Sequence, residues 1–262
     1  MSAWLVSRVP PPLLLLGLIV LVAGGAVLIQ MYVRRRYPAL RHDDHNDATK
    51  FTYGVISLVY AFFIGFLVSA MWGQVNAASV KALAEGAAAV QLARDATVFA
   101  VDDEQRIRQS LLDYERAAIA EWSDVEGGRR REVDAALDGV YSAYGQVRVG
   151  TEAQKALLAT SFGNLDKISQ ARTERILQAR EDNGPPWPLW VVIFLTSAMV
   201  LGTAIVYGVE RPSLHYPMVA VVGVLVAANL FLILQLSHPF LGGLATSSVP
   251  LQEAVSVLDR SS

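Results

Sequence analysis

Four stretches of the chain, residues 11–33, 51–74, 187–209 and 216–236, run without a single charged side chain and are built mainly from Leu, Val, Ile, Ala and Phe. At about 1.5 Å per residue, each is long enough as a helix to cross the ~30 Å hydrocarbon core of a bilayer. Aromatic residues sit near their ends: Trp4, Tyr32, Tyr37, Tyr53 and Trp72 around the first pair, and Trp187, Trp190, Tyr207 and Tyr216 around the second. Rings with one apolar and one polar side belong at the headgroup level. The run 23–26 is small enough for signal cleavage. Only Arg8 precedes the first stretch, however, and Arg34, Arg35 and Arg36 follow it at once, as in a stop-transfer segment, so a retained helix is expected.

Between the second and third stretches the pattern changes to helical periodicity with charged faces. Val80, Leu83, Ala87, Val90 and Ala93 recur at three and four, continuing the second stretch. Asp102, Asp103 and Glu104 open another helix with acids where the macrodipole favours them. Along it Ile107, Leu111, Tyr114, Ala118 and Trp122 form an apolar stripe, with Arg106, Arg108, Asp113, Glu115 and Arg116 expected to face away. After Gly127 and Gly128, two more helices are expected over 129–147 and 151–180. In the second of these, Leu158, Phe162, Leu165, Ile168, Arg172 and Ile176 make a face suited to packing within the domain or to a coiled coil. The segment 182–186, Asp-Asn-Gly-Pro-Pro, stops it. The expected architecture is all-α and polytopic: a first transmembrane pair in 1–75, a helical extramembrane insertion in 76–186, a second pair in 187–237 and a tail in 238–262.

Composition sharpens this division. The 262 residues are 53% hydrophobic and 18% charged, and 14 of the 22 basic and 18 of the 24 acidic residues lie between Asn76 and Asp182. A net charge of −2 excludes the basic face of a nucleic-acid binder. With no cysteine, disulfides and thiolate chemistry are excluded. Arg34, Arg35, Arg36, Arg41 and Lys50 fill the first short loop, and Arg211 lies in the third. The positive-inside rule then puts loops 34–50 and 210–215 in the cytoplasm of a plasma (inner) membrane protein, with both termini and the middle domain outside.

Chemistry has little material here. The second stretch carries Ser57, Ala61, Gly65, Ser69 and Gly73 at strict four-residue spacing. Such a row admits a second backbone closely, either around the axis of an oligomer or against another span of the same chain. Phe62, Phe63 and Phe66 lie off the row, suited to lipid or to a hydrophobic constriction. Asn229 is the deepest strongly polar group of the fourth stretch, fitted for an interhelical hydrogen bond. His42, Asp43, Asp44, His45 and Asp47 crowd one loop as weak metal-ligand candidates, for which a solvated polar loop is the simpler account. No ionisable group lies in mid-membrane, which argues against proton-coupled transport. Phosphate-loop, triad and zinc-protease motifs are missing. No enzyme activity and no cofactor is expected.

Several short motifs recur in an order that resembles the bestrophin-like family of membrane proteins, over most of the chain from about residue 46. They are Glu85 after the second span, Arg108 and Tyr114, Glu121 with Trp122, Arg172 with Arg175, the Pro-Trp-x-x-Trp entry to the third span, and Pro239, Phe240 and Gly242 after the fourth. His238 stands where that family is expected to carry an acid. The resemblance to bestrophins proper implies a pentameric anion channel with the second span at the pore. It also implies a cytosolic bulk, in conflict with the arginine count. The functional expectation is a lipid-embedded homo-oligomer that conducts small ions. The alternative is a non-conducting scaffold or sensor whose helical domain binds a partner.

Overall fold

The computed structural model describes residues 2–37, 46–122, 128–180, 184–207 and 211–260. The elements are α1 (Ser2–Arg8), α2 (Pro11–Ile19), a π-helical stretch (Val20–Gly24), α3 (Gly25–Arg36), α4 (Asn46–Ala96), α5 (Val101–Trp122), α6 (Arg130–Gly145), α7 (Glu152–Arg180), α8 (Trp187–Val206), α9 (Pro212–Leu236) and α10 (Val249–Arg260). No strand occurs among the described residues. Four helices are long and apolar enough to cross a membrane: Pro11–Arg36, Lys50–Ala96, Trp187–Val206 and Pro212–Leu236, with mean hydropathy between 2.2 and 2.7. The protein is therefore all-α and polytopic.

The ends of these spans follow local chemistry. Prolines occupy the first turn of α2, α8 and α9, where the missing N–H costs nothing. The fourth span accordingly begins at Pro212, earlier than residue 216, and the third ends at Val206, where Tyr207 leaves helical geometry. The first span is not a uniform helix. Its π-helical stretch coincides with a close approach of α9: a Cβ placed on Gly223 would come within 2.6 Å of the Ala23 Cα. Glycine is required there because backbone meets backbone.

The chain divides into two compact units, Met1–Val75 with Asp182–Ala245, and Asn76–Glu181 with Thr246–Ser262. In the first, α2, α3 and the π-helical stretch pack on α9, and α8 packs on α9. Its core is Tyr60, Ile64 and Met71 from α4, Ile193 and Val200 from α8, and Val219, Val226 and Ile233 from α9. Outside that core, Leu16, Leu21, Leu28, Phe194, Leu195 and Leu225 are exposed. A helix apolar on its outer side as well as its inner one is suited to lipid.

The second unit is built like a water-soluble bundle. The stripe Ile107, Leu111, Tyr114 and Ala118 of α5 is fully buried, joined by Leu165 and Ile168 of α7 and Leu251 and Leu258 of α10. Thus the face running from Leu158 to Ile176 packs within the unit. Two expectations are corrected. Val80 and Leu83 are exposed, and α4 instead buries Ala78, Ala82, Glu85, Ala88, Ala89 and Leu92. Alanines win this face because they let α10 come close: a Cβ on Gly86 would lie 2.6 Å from the Pro250 carbonyl oxygen. Glu115 does not face away but is fully buried, because it sits three and four residues beyond Leu112 and Leu111 on the inner face of α5.

Candidate functional site

The most connected polar cluster lies in the second unit and gathers most of the motif residues. Tyr114 and Glu121 stand seven residues apart on α5 and share one face. The Tyr114 hydroxyl donates to Glu85 Oε1 of α4 at 2.8 Å. Arg172 and Arg175, one turn apart on α7, both reach Glu121. Arg172 Nη2 lies 3.0 Å from Oε1 and its Nε 3.3 Å from Oε2, and Arg175 Nη2 lies 3.3 Å from Oε2. Arg172 Nη1 also donates to Asp134 Oδ1 at 2.6 Å, bringing in α6. Arg175 Nε approaches Glu85 Oε2 at 3.5 Å, an ion contact without hydrogen-bond geometry. The Arg175 guanidinium lies 4.7 Å from the centre of the Trp122 ring, whose Nε1 donates to the Thr246 carbonyl at 3.1 Å. We refer to this arrangement as the clasp.

Glu85, Glu121, Arg172 and Arg175 are all buried, so their charges are taken out of water and compensate one another. Burial works against the charge of Arg172, but bonds to Glu121 and Asp134 outweigh it and hold the guanidinium protonated more firmly than usual. Burial also pushes the Tyr114 hydroxyl well above its ordinary value, helped by the charge of Glu85, so it remains a donor. The geometry of the cluster suits joining α4, α5, α6 and α7.

The remaining motif residues are elsewhere. Arg108 pairs with Glu104 on its own helix at 3.2 Å. Pro239, Phe240 and Gly242 follow α9 in the first unit, where Gly242 has φ +87 and the Gly243 N–H donates to Gln235 Oε1 at 3.1 Å. Only glycine takes that backbone readily, and an added Cβ would strike the Gln235 side chain.

In the first unit, Ala61, Gly65, Ser69 and Gly73 are exposed along α4, Ser57 is half-buried, and nothing lies within 4 Å of a Cβ placed on Gly65 or Gly73. Phe62 and Phe66 stand beside the row, 72% and 78% exposed, whereas Phe63 packs against the core. Asn229 Nδ2 and Ser197 Oγ each reach the Tyr60 hydroxyl at 3.5 Å, linking α9 and α8 to α4. His42, Asp43, Asp44 and His45 lie outside the described residues, as does the side chain of Asp47 at the start of α4. Among the described residues no group of three His, Asp or Glu is placed to hold a metal ion.

One buried polar site escaped the sequence reading. Arg34 Nη1 lies 3.0 Å from His215 Nδ1, and His215 Nε2 lies 3.1 Å from the Ala204 carbonyl oxygen. A guanidinium can only donate, so Nδ1 accepts, Nε2 carries the hydrogen and the ring is neutral. Gln30, one turn before Arg34, is fully buried, and neither end of its amide has a hydrogen-bond partner among the described residues. The signal was present, since Gln30 is the one side chain in 11–33 with a full amide. Its burial depends on α8 and α9, which sequence spacing does not reveal.

Comparison with known proteins agrees with this architecture. The profile of the Bestrophin-like domain matches residues 20–251. Among solved structures, a bacterial bestrophin homologue from Klebsiella pneumoniae aligns with TM-score 0.64 at 16% identity, covering 95% of this chain and 96% of that one. A second variant of that homologue aligns with TM-score 0.60 at 16% identity over 95% and 98% of the two chains. No match was found among curated proteins.

Proposed function

Since the chain belongs to the bestrophin-like family, we propose that it is a subunit of an ion channel that works as a symmetric homo-oligomer in the membrane. The observation that carries this reading is the open face of α4. The small-residue row from Ala61 to Gly73 is exposed, nothing among the described residues lies within 4 Å of a Cβ placed on Gly65 or Gly73, and Phe62 and Phe66 project beside the row, one turn apart. Small residues at every fourth position admit the backbone of another copy. Two aromatic rings repeated around an axis would form an apolar constriction that opens and closes by wetting. The face carries no ionisable group between residues 51 and 74, so passage would rest on dehydration and dipoles rather than fixed charge. Preference for anions is taken from the family resemblance.

The test is anion flux into liposomes containing the purified protein. Flux is expected, and Phe66→Ala, which widens the constriction, should raise it. Absence of flux from well-folded oligomers, together with a monomer in detergent, would overturn the proposal. The partner-binding scaffold is favoured by one feature, a groove of about 400 Å³ on the second unit between Leu83, Gly86 and Val90 of α4 and Pro250 and Val257 of α10. Intact oligomers without flux would point to it. For orientation, the arginine count favours loops 34–50 and 210–215 in the cytoplasm. A reporter fused after Arg41 should then report the cytoplasm and one within 126–131 the opposite side, and the reverse pattern would mean that the second unit is cytosolic.

A further inference from the structure

Glu115 is fully buried in the middle of α5, and neither of its carboxylate oxygens has a hydrogen-bond partner among the described residues. An ionised carboxylate held in this way is costly, and proteins commonly resolve the cost by leaving the group protonated. Among the described residues, the charges that bear on it leave no spare counterion. Glu85 on α4 bears on Glu115 with like charge, and Arg175 on α7 with opposite charge, but Arg175 is already engaged by Glu85, Glu121 and the Trp122 ring. Tyr114, the neighbour on α5, donates to Glu85. From α6 come the buried Val133, Leu137 and Val140, with Tyr144 bonded to the Leu92 carbonyl and Asp134 bonded to Arg172. From α10 come Leu251, Ala254 and Leu258, with Asp259 paired to Arg116. The buried charges of Glu85 and Glu121 balance those of Arg172 and Arg175, so a charge on Glu115 would be surplus.

We propose that Glu115 is a proton-binding switch. Protonated, it leaves Arg175 in place between Glu85 and Glu121. When it releases its proton to solvent, it draws Arg175 towards itself and loosens α7 from α4 and α5. The electrostatics agree with the geometry: burial holds this carboxyl well above the usual carboxylate range, the charge of Glu85 adds to the effect, and Arg175 opposes it. The folded chain then keeps a proton that the unfolded chain has already lost. The contribution of Glu115 to stability is full below the ordinary glutamate value and declines as pH rises through the folded one. This inference does not depend on ion conduction.

The test uses the full chain in detergent, comparing wild type with Glu115→Gln, a neutral side chain of the same shape. At neutral pH the infrared carbonyl band of a protonated carboxyl should be present in wild type and missing from the variant. As pH rises from below the ordinary glutamate value to well above it, the wild-type melting temperature should fall relative to the variant's. Hydrogen exchange in α7 should rise over the same interval relative to the variant. Identical bands, or parallel pH profiles in melting and exchange, would overturn the proposal. Should Glu115→Gln fail to fold, Glu115→Met, equally neutral and of similar length, carries the same expectations.

Discussion

The two units of this chain hold themselves together by different means. The first has a modest apolar core and leaves Leu16, Leu21, Leu28, Phe62, Phe66 and Phe194 outside it, with polar links at a few points such as Arg34 with His215. The second has a continuous core running from Leu92 through Ile107 and Leu165 to Leu258, closed by a buried set of charges. In lipid, apolar surface need not be hidden, so composition alone marks the first unit. In water it must be, so the second unit is marked by which positions turn inward.

The sharpest way to break this contrast is to remove one charge from the clasp. Arg172→Ala leaves Glu121 and Asp134 without their main partner, and Glu121 is buried. Breaking a buried pair on one side only costs about 3–5 kcal/mol. The variant is expected to lose helical signal in 101–180 at a lower temperature, while the first unit still partitions into detergent. Asp134→Ala, at the half-exposed end of the same arginine, should cost much less. Equal losses in the two variants would mean that burial is not what gives the clasp its weight.

Glycines provide the next contrast. At Gly86 an added Cβ would lie 2.6 Å from the Pro250 carbonyl oxygen, and at Gly223 2.6 Å from the Ala23 Cα, so backbone must move in either unit. Overpacking of this kind costs about 1–3 kcal/mol. Gly86→Ala and Gly223→Ala should each lower the melting temperature, the first by shifting α10 and the second by separating α9 from the first span. Gly65→Val adds bulk where nothing among the described residues lies within 4 Å of the added Cβ. It should leave the folded subunit intact and change only oligomer size in detergent. An unchanged oligomer would remove the small-residue row from the interface.

How much of this was legible in the sequence differs between the units for the same reason. The four spans could be read from runs of uncharged residues because lipid imposes no periodicity. The π-helical stretch at Val20–Gly24 could not, since it answers to Gly223 two hundred residues later. In the second unit the stripe of α5 was legible at 3.6-residue spacing, and Leu165 and Ile168 likewise. On α4 the reading followed the bulkier Val80 and Leu83, whereas the packed face is alanine, chosen for close approach to α10. Glu115 was misjudged for the opposite reason: a charged residue on a helix is ordinarily solvated, and only the neighbouring helices show that this one is not. The pairing of Glu121 with Arg172 and Arg175 joins residues more than fifty positions apart, which no single helix encodes.

The smallest expected effect tests whether distance or burial governs the ion pairs. Arg116 Nη2 lies 3.1 Å from Asp259 Oδ1, nearly the 3.0 Å of Arg172 to Glu121, and each pair joins an arginine to a carboxylate on another helix. The side chains of the first pair are 55% and 50% exposed, those of the second 6% and 7%. Water screens the exposed pair and already solvates its members when they part, so Asp259→Ala should cost about 0.2–1 kcal/mol, decreasing further in salt. Melting curves of the variant and wild type at low and high ionic strength provide the measurement. The two curves are expected to converge as salt rises. A loss comparable to that of Arg172→Ala, insensitive to salt, would mean that α10 is held to α5 by this bridge rather than by Leu251, Ala254 and Leu258 beneath it.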